Sequence, residues 1–459
     1  MMLLLASVFA LQLNFDRAEI PTVETRVART EAGQFYPLEK GFQGDKPFGF
    51  ALQPGAELSF VLREFNANCL HNGRIHLSQE QEQQLLDASA TIQLSATYAL
   101  TEQTCAYESF DWQGEVQVQA TPLQDDLPVT PAVKPLRDAP WQPQPQQQQP
   151  TVYGWAQTDA DGKLIAHYSS QPHIAVPAYS LSKTFIAAAA ALLIERHSVT
   201  EILALSIASL IPECEQASWQ RTTLRDALNM RTGHYHQTTA SADESAEAMI
   251  NDFFLVTSHA EKIRHACSYP AQQSASPAPF VYQSSATYLL ATALQTGLQQ
   301  NRFGELEGLH SDRRLDQLLY DNLWDPLQLS PLAYSIDSTK DARAQIWGGY
   351  GLSLLPGDLV ALARFVQHDP MELGFAEILA RPDLATPVPG NESLRYRASI
   401  WFWQDPASEQ WYPFLSGYGG IMVVFLDSRH LYYLVSDQHD HRFADVIRDF
   451  QRWQTELAP

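Results

Sequence analysis

The chain has 459 residues, which at about 150 residues per domain predicts two or three domains. Thirty basic and 52 acidic residues give a net charge of −22, and this surplus argues against nucleic acid as a partner because it repels phosphate backbones. Hydrophobic residues make up 45% and charged residues 18%, so most of the chain can bury a core.

The first 13 residues are apolar and too few to span a bilayer stably. They predict a signal peptide over residues 1–18, with a buried first strand as the alternative, and hence a periplasmic or secreted protein. Four cysteines in an exported chain favour two disulfides. The sequence-local pairings are Cys69–Cys105 and Cys214–Cys267, and other connectivities stay open.

Residues 19–121 alternate between polar and apolar side chains in short runs. This period of two predicts strands over 57–62, 91–98 and 114–119, with one helix over 78–90. The segment carries no catalytic motif. We therefore interpret it as a small β-rich N-terminal domain, with partner or substrate binding as a hypothesis for its role.

Residues 122–150 are rich in proline and glutamine. Proline removes backbone hydrogen-bond donors and glutamine buries little surface, so this segment is predicted to be an extended linker. It separates the N-terminal domain from a second domain over residues 151–459.

The second domain opens with a predicted hairpin over 152–156 and 163–168, closed by the turn Asp159-Ala160-Asp161-Gly162. The predicted helices cover 181–197, 223–230, 287–296, 314–323, 356–366 and 443–453. Two further strands are predicted over 421–426 and 431–435. Strands at both ends around a helical middle predict an α+β domain whose termini share one sheet.

Ser180-Leu181-Ser182-Lys183 is the first candidate for chemistry, at the start of a strongly apolar helix. Ser180 and Lys183 lie three residues apart and share one helix face. A lysine at the start of an apolar helix loses solvation, which favours its neutral form and lets it act as a base. The alternative is that Ser180 caps the helix and Lys183 extends to solvent.

Two further segments are candidates. Tyr282 lies just before the predicted 287–296 helix, where it could relay a proton if a cation lowers its pKa, or could simply pack the corner. Gly417-Tyr418-Gly419-Gly420 leads into the strand that begins at Ile421. Its glycines would let a substrate approach the backbone, and the alternative is an ordinary turn.

The order of these segments in residues 150–459 resembles that of the serine β-lactamase and penicillin-binding-protein-like superfamily. The likeness is greatest to its class C-related branch of esterases, D-aminopeptidase-like and 6-aminohexanoate-dimer-hydrolase-like enzymes. Ser180–Lys183 fits the SxxK motif. Residues 223–233 and 347–359 are similar to structural stretches of that family. The resemblance implies an antiparallel sheet flanked by helices, with a helical subdomain.

By this resemblance Ser180 is the acylated nucleophile and Lys183 its base or hydrogen-bond partner. Tyr282 takes the tyrosine position of the Tyr-x-Asn motif, and Ser284 stands where asparagine is usual. Tyr418, Gly419 and Gly420 take the place of the third motif. The implied oxyanion hole uses the backbone N–H of Ser180 and one near Ile421.

The chain contains seven lysines and none after Lys340, so its third motif has no lysine. In members that recognise β-lactams a cation there helps to hold the substrate carboxylate. Its loss predicts an ester or amide substrate rather than efficient β-lactam hydrolysis.

The sequence thus predicts a serine hydrolase with a small-molecule or peptide-like substrate and no cofactor. A catalytically weak or inactive binding protein for cell-wall peptide is the alternative. No CxxC or HExxH spacing is present, and the cluster His439-Asp440-His441 offers too few ligands, so no metal site is predicted.

Overall fold

The computed structural model describes residues 152–170, 176–237, 239, 241–272, 278–306, 308–309, 314–334, 336–436 and 443–457, together with seven earlier strands. The predicted signal peptide and the linker after Pro122 lie outside the described residues, and so does Cys105, which leaves the Cys69–Cys105 pairing untested. So do the His439–His441 cluster and, apart from Ala90, the predicted 78–90 helix. Ala90 itself belongs to a strand.

The seven early strands form two antiparallel sheets. One has the order β2-β1-β6-β7 and the other β3-β4-β5. The three predicted strands are present with shifted ends, as β4 (Glu57–Glu64), β6 (Ala90–Thr97) and β7 (Val116–Pro122). The other four are β1 (Thr22–Arg29), β2 (Phe35–Pro37), β3 (Phe48–Gln53) and β5 (Cys69–His76).

An eight-stranded antiparallel sheet organises the region predicted as the second domain, with the order β12-β13-β14-β15-β16-β17-β8-β9. The predicted hairpin is present as β8 (Val152–Thr158) and β9 (Leu164–Ser169). The C-terminal strands are β16 (Ile421–Phe425) and β17 (His430–Val435). Strand β17 pairs with β8, so the prediction that both ends of this domain share one sheet is confirmed.

Four strands of this sheet were not predicted: β12 (Thr386–Val388), β13 (Asn391–Arg397), β14 (Ile400–Gln404) and β15 (Trp411–Gly417). Charged residues interrupt the apolar pattern of β13, and β14 and β15 are rich in aromatic side chains. A separate pair, β10 (Val176–Pro177) and β11 (Ser353–Leu354), joins the residues before Ser180 to a distant loop.

The two faces of the large sheet carry different helices because side chains alternate along each strand. In β16, Ile421 and Val423 join the main core, which contains the helix that follows Ser180. Met422 and Val424 face the other side, where the C-terminal helix packs through Phe450. The Ser180 segment is therefore held between the sheet and a helical layer.

The α-helices of the second domain have the following bounds: α1 (Ala189–His197), α2 (Ile207–Leu210), α3 (Leu224–Leu228), α4 (Glu247–Met249), α5 (His259–Ser268), α6 (Ser284–Gln299), α7 (Leu315–Leu319), α8 (Pro356–His368), α9 (Phe375–Ala380) and α10 (Ala444–Leu457). Six of them correspond to predicted helices. The other four, α2, α4, α5 and α9, were not predicted.

The helix after Ser180 is not uniform. It begins as a π-helix over Lys183–Ala188 and continues as α1. Every residue of the π-helical part is buried. Residues 284–298 of α6 are also buried throughout, as expected for the central helix of a core. The nucleophile candidate thus lies at the start of an interior helix.

Cys214 and Cys267 form a disulfide with Cα atoms 5.0 Å apart, which confirms this sequence-local pairing. It joins the residues after α2 to α5. Among the helices that the structure describes, none is long and apolar enough to cross a membrane.

Candidate active site

Ser180 lies in a one-turn 3₁₀ helix, Tyr179–Leu181, and is partly buried. The backbone N–H of Leu181 donates to the carbonyl of Ala178 at 2.9 Å and closes this turn. Tyr179 has a φ of +42°, a strained conformation for a residue with a side chain. The turn presents the Ser180 hydroxyl instead of using it as a helix cap, so the capping alternative is wrong.

Lys183 is 1% exposed, so its side chain does not extend to solvent. Its Nζ lies 2.8 Å from the Oγ of Ser180 and 2.8 Å from the Oγ of Ser284. The carbonyl oxygen of Gly349 lies 3.2 Å from the same nitrogen. Three oxygens from three separate segments therefore surround one amine.

Burial is the largest influence on Lys183 and lowers its pKa to about 8, while the charge of Glu244 acts in the opposite direction. Removing an ammonium from water disfavours its charged form. A substantial fraction of the lysine is consequently neutral near pH 8 and can accept a proton. This is the property that a general base for Ser180 requires.

Tyr282 is partly buried, and its ring lies 4.9 Å from the Nζ of Lys183. Burial, followed by the neighbouring Tyr396 and Glu244, raises the pKa of Tyr282 well above its ordinary value, and a hydrogen bond with Ser180 offsets part of this. The condition named for a proton relay, a pKa lowered by a cation, is not met at Tyr282. Tyr282 keeps its proton and can act only as a hydrogen-bond donor or an acid at neutral pH.

Tyr282 also packs the corner before α6, with its ring centroid 5.5 Å from that of Trp401. The alternative from the sequence, that the ring of Tyr282 packs this corner, is therefore correct. The packing fixes the ring while the hydroxyl forms a hydrogen bond with Ser180.

Ser284 is the first residue of α6 and is 2% exposed. Its hydroxyl donates to Glu244 at 2.5 Å, and its backbone N–H donates to the same carboxylate at 2.6 Å. The neighbouring Asp243 accepts from the side-chain amide of Gln283 at 2.9 Å. Asp243 and Glu244, from a distant segment, therefore hold the two residues that follow Tyr282 by hydrogen bonds.

The third predicted segment reaches the nucleophile turn through Gly417 and Tyr418. A Cβ at Gly417 would lie 2.9 Å from the carbonyl oxygen of Ala178, so only glycine allows this approach. The Tyr418 side chain is 56% exposed, and its ring lies 5.7 Å from that of Tyr179.

Gly419 and Gly420 adopt φ values of +79° and +98° in the turn after β15, which suits residues without a side chain. Ile421 is buried and pairs with Gly417 and Val435 in the sheet. These three residues therefore support the turn against which the Ser180 segment packs.

Sequence reasoning missed two contributors to the site. Gly349 lies within a stretch noted only for its family likeness, yet its carbonyl touches Lys183. Glu244 lies in a polar run without a recognisable motif. No local signal predicted either contact, because each joins residues far apart in the chain.

Residues 223–233, predicted to be structural, support the site through hydrogen bonds to two neighbouring segments. Thr223 and Asp226 form a capping box that starts α3. The Oδ1 of Asn229 accepts from the backbone of Ala398 at 3.0 Å, and the carbonyl of Met230 accepts from Val281 at 2.9 Å. These bonds anchor the β13–β14 turn and the strand-like segment that carries Tyr282.

A serine hydroxyl beside a buried, partly neutral lysine and a protonated tyrosine is an arrangement typical of serine hydrolases that transfer acyl groups. The family model described as Beta-lactamase matches residues 146–452, well over half of the chain. The chain belongs to this family of serine hydrolases, and its fold of helices on an antiparallel sheet is β-lactamase-like.

Solved structures similar to this chain have low identities. A D-stereospecific amidohydrolase from Streptomyces sp. is 12% identical, covers 65% of this chain and 93% of its own, and has a TM-score of 0.43. A class C β-lactamase is 14% identical, covers 68% of this chain and 92% of its own, and has a TM-score of 0.45. The octameric penicillin-binding protein homologue from Pyrococcus abyssi is 13% identical, covers 67% of this chain and 74% of its own, and has a TM-score of 0.48. A comparison with curated proteins finds no match.

Proposed function

We propose that this protein is an exported serine hydrolase that cleaves an ester or amide bond through an acyl-enzyme on Ser180. The observation that carries the proposal is the 2.8 Å contact between the Oγ of Ser180 and the Nζ of a fully buried Lys183. Burial of this lysine supplies the base that the serine needs.

In the first half-reaction, neutral Lys183 accepts the proton of the Ser180 hydroxyl while the oxygen attacks the substrate carbonyl. The resulting tetrahedral intermediate collapses, its bond to the leaving group breaks, and the leaving group takes up a proton. That proton comes from the Lys183 ammonium directly or through the Tyr282 hydroxyl. Water then attacks the acyl-enzyme by the same steps, which releases the acid and restores Ser180.

Two features support stabilisation of the intermediate. The backbone N–H of Ser180 lies at the start of an interior helix, where a developing negative charge is favoured. We assign the second N–H of the oxyanion hole to the segment from Gly417 to Ile421, since Gly417 lies directly against the nucleophile turn.

The composition of this third segment favours esters and amides over β-lactams. Tyr418 stands where a cation would hold a substrate carboxylate, and the chain has no lysine after Lys340. A neutral or aromatic group on the substrate suits the exposed ring of Tyr418 better.

Labelling with a fluorophosphonate probe, read by peptide mass spectrometry, tests the nucleophile. We expect an adduct on Ser180 and none in Ser180→Ala. Ser182→Ala is the matched control, because Ser182 lies two residues away and its buried hydroxyl has no hydrogen-bond partner among the residues that the structure describes. Turnover of a nitrophenyl ester should follow the same pattern.

An unlabelled Ser180 in a folded protein would contradict the proposal and favour the binding-protein alternative. The replacement of asparagine by Ser284 motivates that alternative. Against it, Ser284 keeps a 2.8 Å contact with Lys183, so the substitution leaves the lysine bound. Export is supported by the Cys214–Cys267 disulfide, since disulfides persist mainly in oxidising compartments.

A further inference from the structure

Glu244 makes two separate hydrogen bonds to Ser284. One oxygen accepts the backbone N–H at 2.6 Å and thereby caps α6, for which Gln283 supplies no side-chain cap. The other accepts the hydroxyl proton at 2.5 Å. The bond to the backbone N–H gives Glu244 a structural role at the start of α6. The bond to the hydroxyl concerns the site itself, because that hydroxyl also contacts Lys183.

The hydroxyl of Ser284 has one proton, and a carboxylate can only accept. Its proton is therefore committed to Glu244, and its oxygen faces the Nζ of Lys183 at 2.8 Å as an acceptor. The carbonyl of Gly349, at 3.2 Å, can also only accept.

A neutral amine has two protons and one lone pair. In Lys183 the two protons go to the two obligate acceptors, Ser284 and Gly349. The lone pair is left facing the third neighbour, Ser180 at 2.8 Å, whose hydroxyl must then donate. The hydrogen bonds are thus already oriented for proton transfer from serine to lysine.

We propose that Glu244 is a positioning residue that holds the Ser284 hydroxyl proton away from Lys183 and so directs the lysine lone pair toward Ser180. The inference rests on the proposed function, because it concerns the same proton transfer. Without Glu244 the Ser284 hydroxyl can rotate and donate to Lys183, where it competes with Ser180 for the lone pair.

Glu244→Gln tests this directly because the amide keeps the shape of the side chain. Its oxygen can still accept the backbone N–H of Ser284 and cap the helix. Its NH₂ group donates to the Ser284 hydroxyl, which then has to turn its own proton toward Lys183. We expect the rate of fluorophosphonate labelling at Ser180 to fall by about 10- to 100-fold.

Glu247→Gln is the matched control, since Glu247 is exposed and lies three residues further along. Its labelling rate should equal that of the unsubstituted protein. Thermal unfolding of both variants checks that the fold is retained.

The Ser284→Ala background separates positioning from support of the fold. The alanine has no hydroxyl to misdirect, so Glu244→Gln should change the labelling rate less than threefold in that background. A purely structural role would give the full loss in both backgrounds. That result would overturn the inference.

The pH dependence gives a second readout. The charge of Glu244 raises the pKa of Lys183, so its removal should move the acidic limb of the labelling rate to lower pH while the maximal rate falls. Unchanged labelling in Glu244→Gln overturns this inference alone. Absence of labelling in the unsubstituted protein overturns the proposed function and this inference together.

Discussion

Two of the seven lysines, Lys183 and Lys262, are fully buried in the described part of the chain, and their surroundings differ. Lys183 contacts two serine hydroxyls and one carbonyl. Lys262 lies among aromatic rings, with its Nζ 4.9 Å from the ring of Phe253 and 4.7 Å from that of Trp347.

Three aromatic rings surround the amine of Lys262, and aromatic faces attract a cation. It also donates to the carbonyl of Phe253 at 2.5 Å and to the hydroxyl of Tyr350 at 2.9 Å. Burial alone therefore does not create a base. We infer a base only for Lys183, because its amine contacts the hydroxyl of the candidate nucleophile Ser180, whereas Lys262 contacts a backbone carbonyl and the hydroxyl of Tyr350.

The two lysines are joined by the loop of residues 347–350. Trp347 and Tyr350 surround Lys262, and Gly349 between them contacts Lys183. Lys262 thus holds the loop whose carbonyl helps to position the amine of Lys183. We therefore propose a role in the chemistry for Lys183 and support of the loop for Lys262.

Lys183→Met should give the largest effect. We expect the labelling rate of Ser180 to fall by about 10²- to 10⁴-fold, because the general base is lost. Stability should stay equal or rise, since burial disfavours the charge that methionine removes. Labelling kinetics and thermal unfolding check both effects, and a large loss of stability would contradict the assignment.

The pH dependence of labelling should give the next largest effect. Only neutral Lys183 accepts a proton, so the rate rises with pH and is half-maximal near the pKa of about 8. Two pH units below that point the rate should be lower by about 100-fold. A rate independent of pH between 6 and 9 would exclude Lys183 as the base.

Lys262→Met should act mainly on stability. The substitution leaves the carbonyl of Phe253 without this donor and removes the cation from its rings, so we expect a loss of about 2 kcal/mol in the free energy of unfolding. Labelling should fall less than about tenfold with an unchanged half-maximal pH. A shift in that pH would show that Lys262 takes part in the chemistry.

Gly349→Ala should give the smallest effect. A Cβ there would lie 3.2 Å from the Cβ of Thr287 and 3.6 Å from the Cε of Lys183. The crowding should cost about 1 kcal/mol of stability and displace the carbonyl slightly, which lowers the labelling rate a few-fold. Gly357→Ala is the control, because no atom in the described part of the chain lies within 4 Å of a Cβ at that position.

The sequence predicted those features that local pattern determines. The apolar run after Lys183 predicted the buried helix, the turn Asp159–Gly162 between two short runs predicted the hairpin, and two apolar runs predicted the C-terminal strands. The Ser180–Lys183 spacing predicted a shared face, and the two side chains are in contact. The π-helical start of that helix was not predicted, because its hydrogen-bond pattern depends on packing.

The remaining parts of the site depend on contacts between distant segments. Glu244 reaches Ser284 across 40 residues, and Gly349 reaches Lys183 across 166. Neither residue has a spacing that marks it in the sequence. Likewise the raised pKa of Tyr282 follows from burial among Tyr396 and Glu244, which the residues around position 282 do not reveal.

The titration of Lys183 itself tests most directly whether this lysine is the base for Ser180. Nuclear magnetic resonance of isotope-labelled lysine side chains resolves the seven residues, and the signal missing from Lys183→Met identifies the relevant one. We expect that signal to titrate near pH 8. Titration of that signal above pH 10, as for a solvent-exposed lysine, would contradict the assignment of Lys183 as the base.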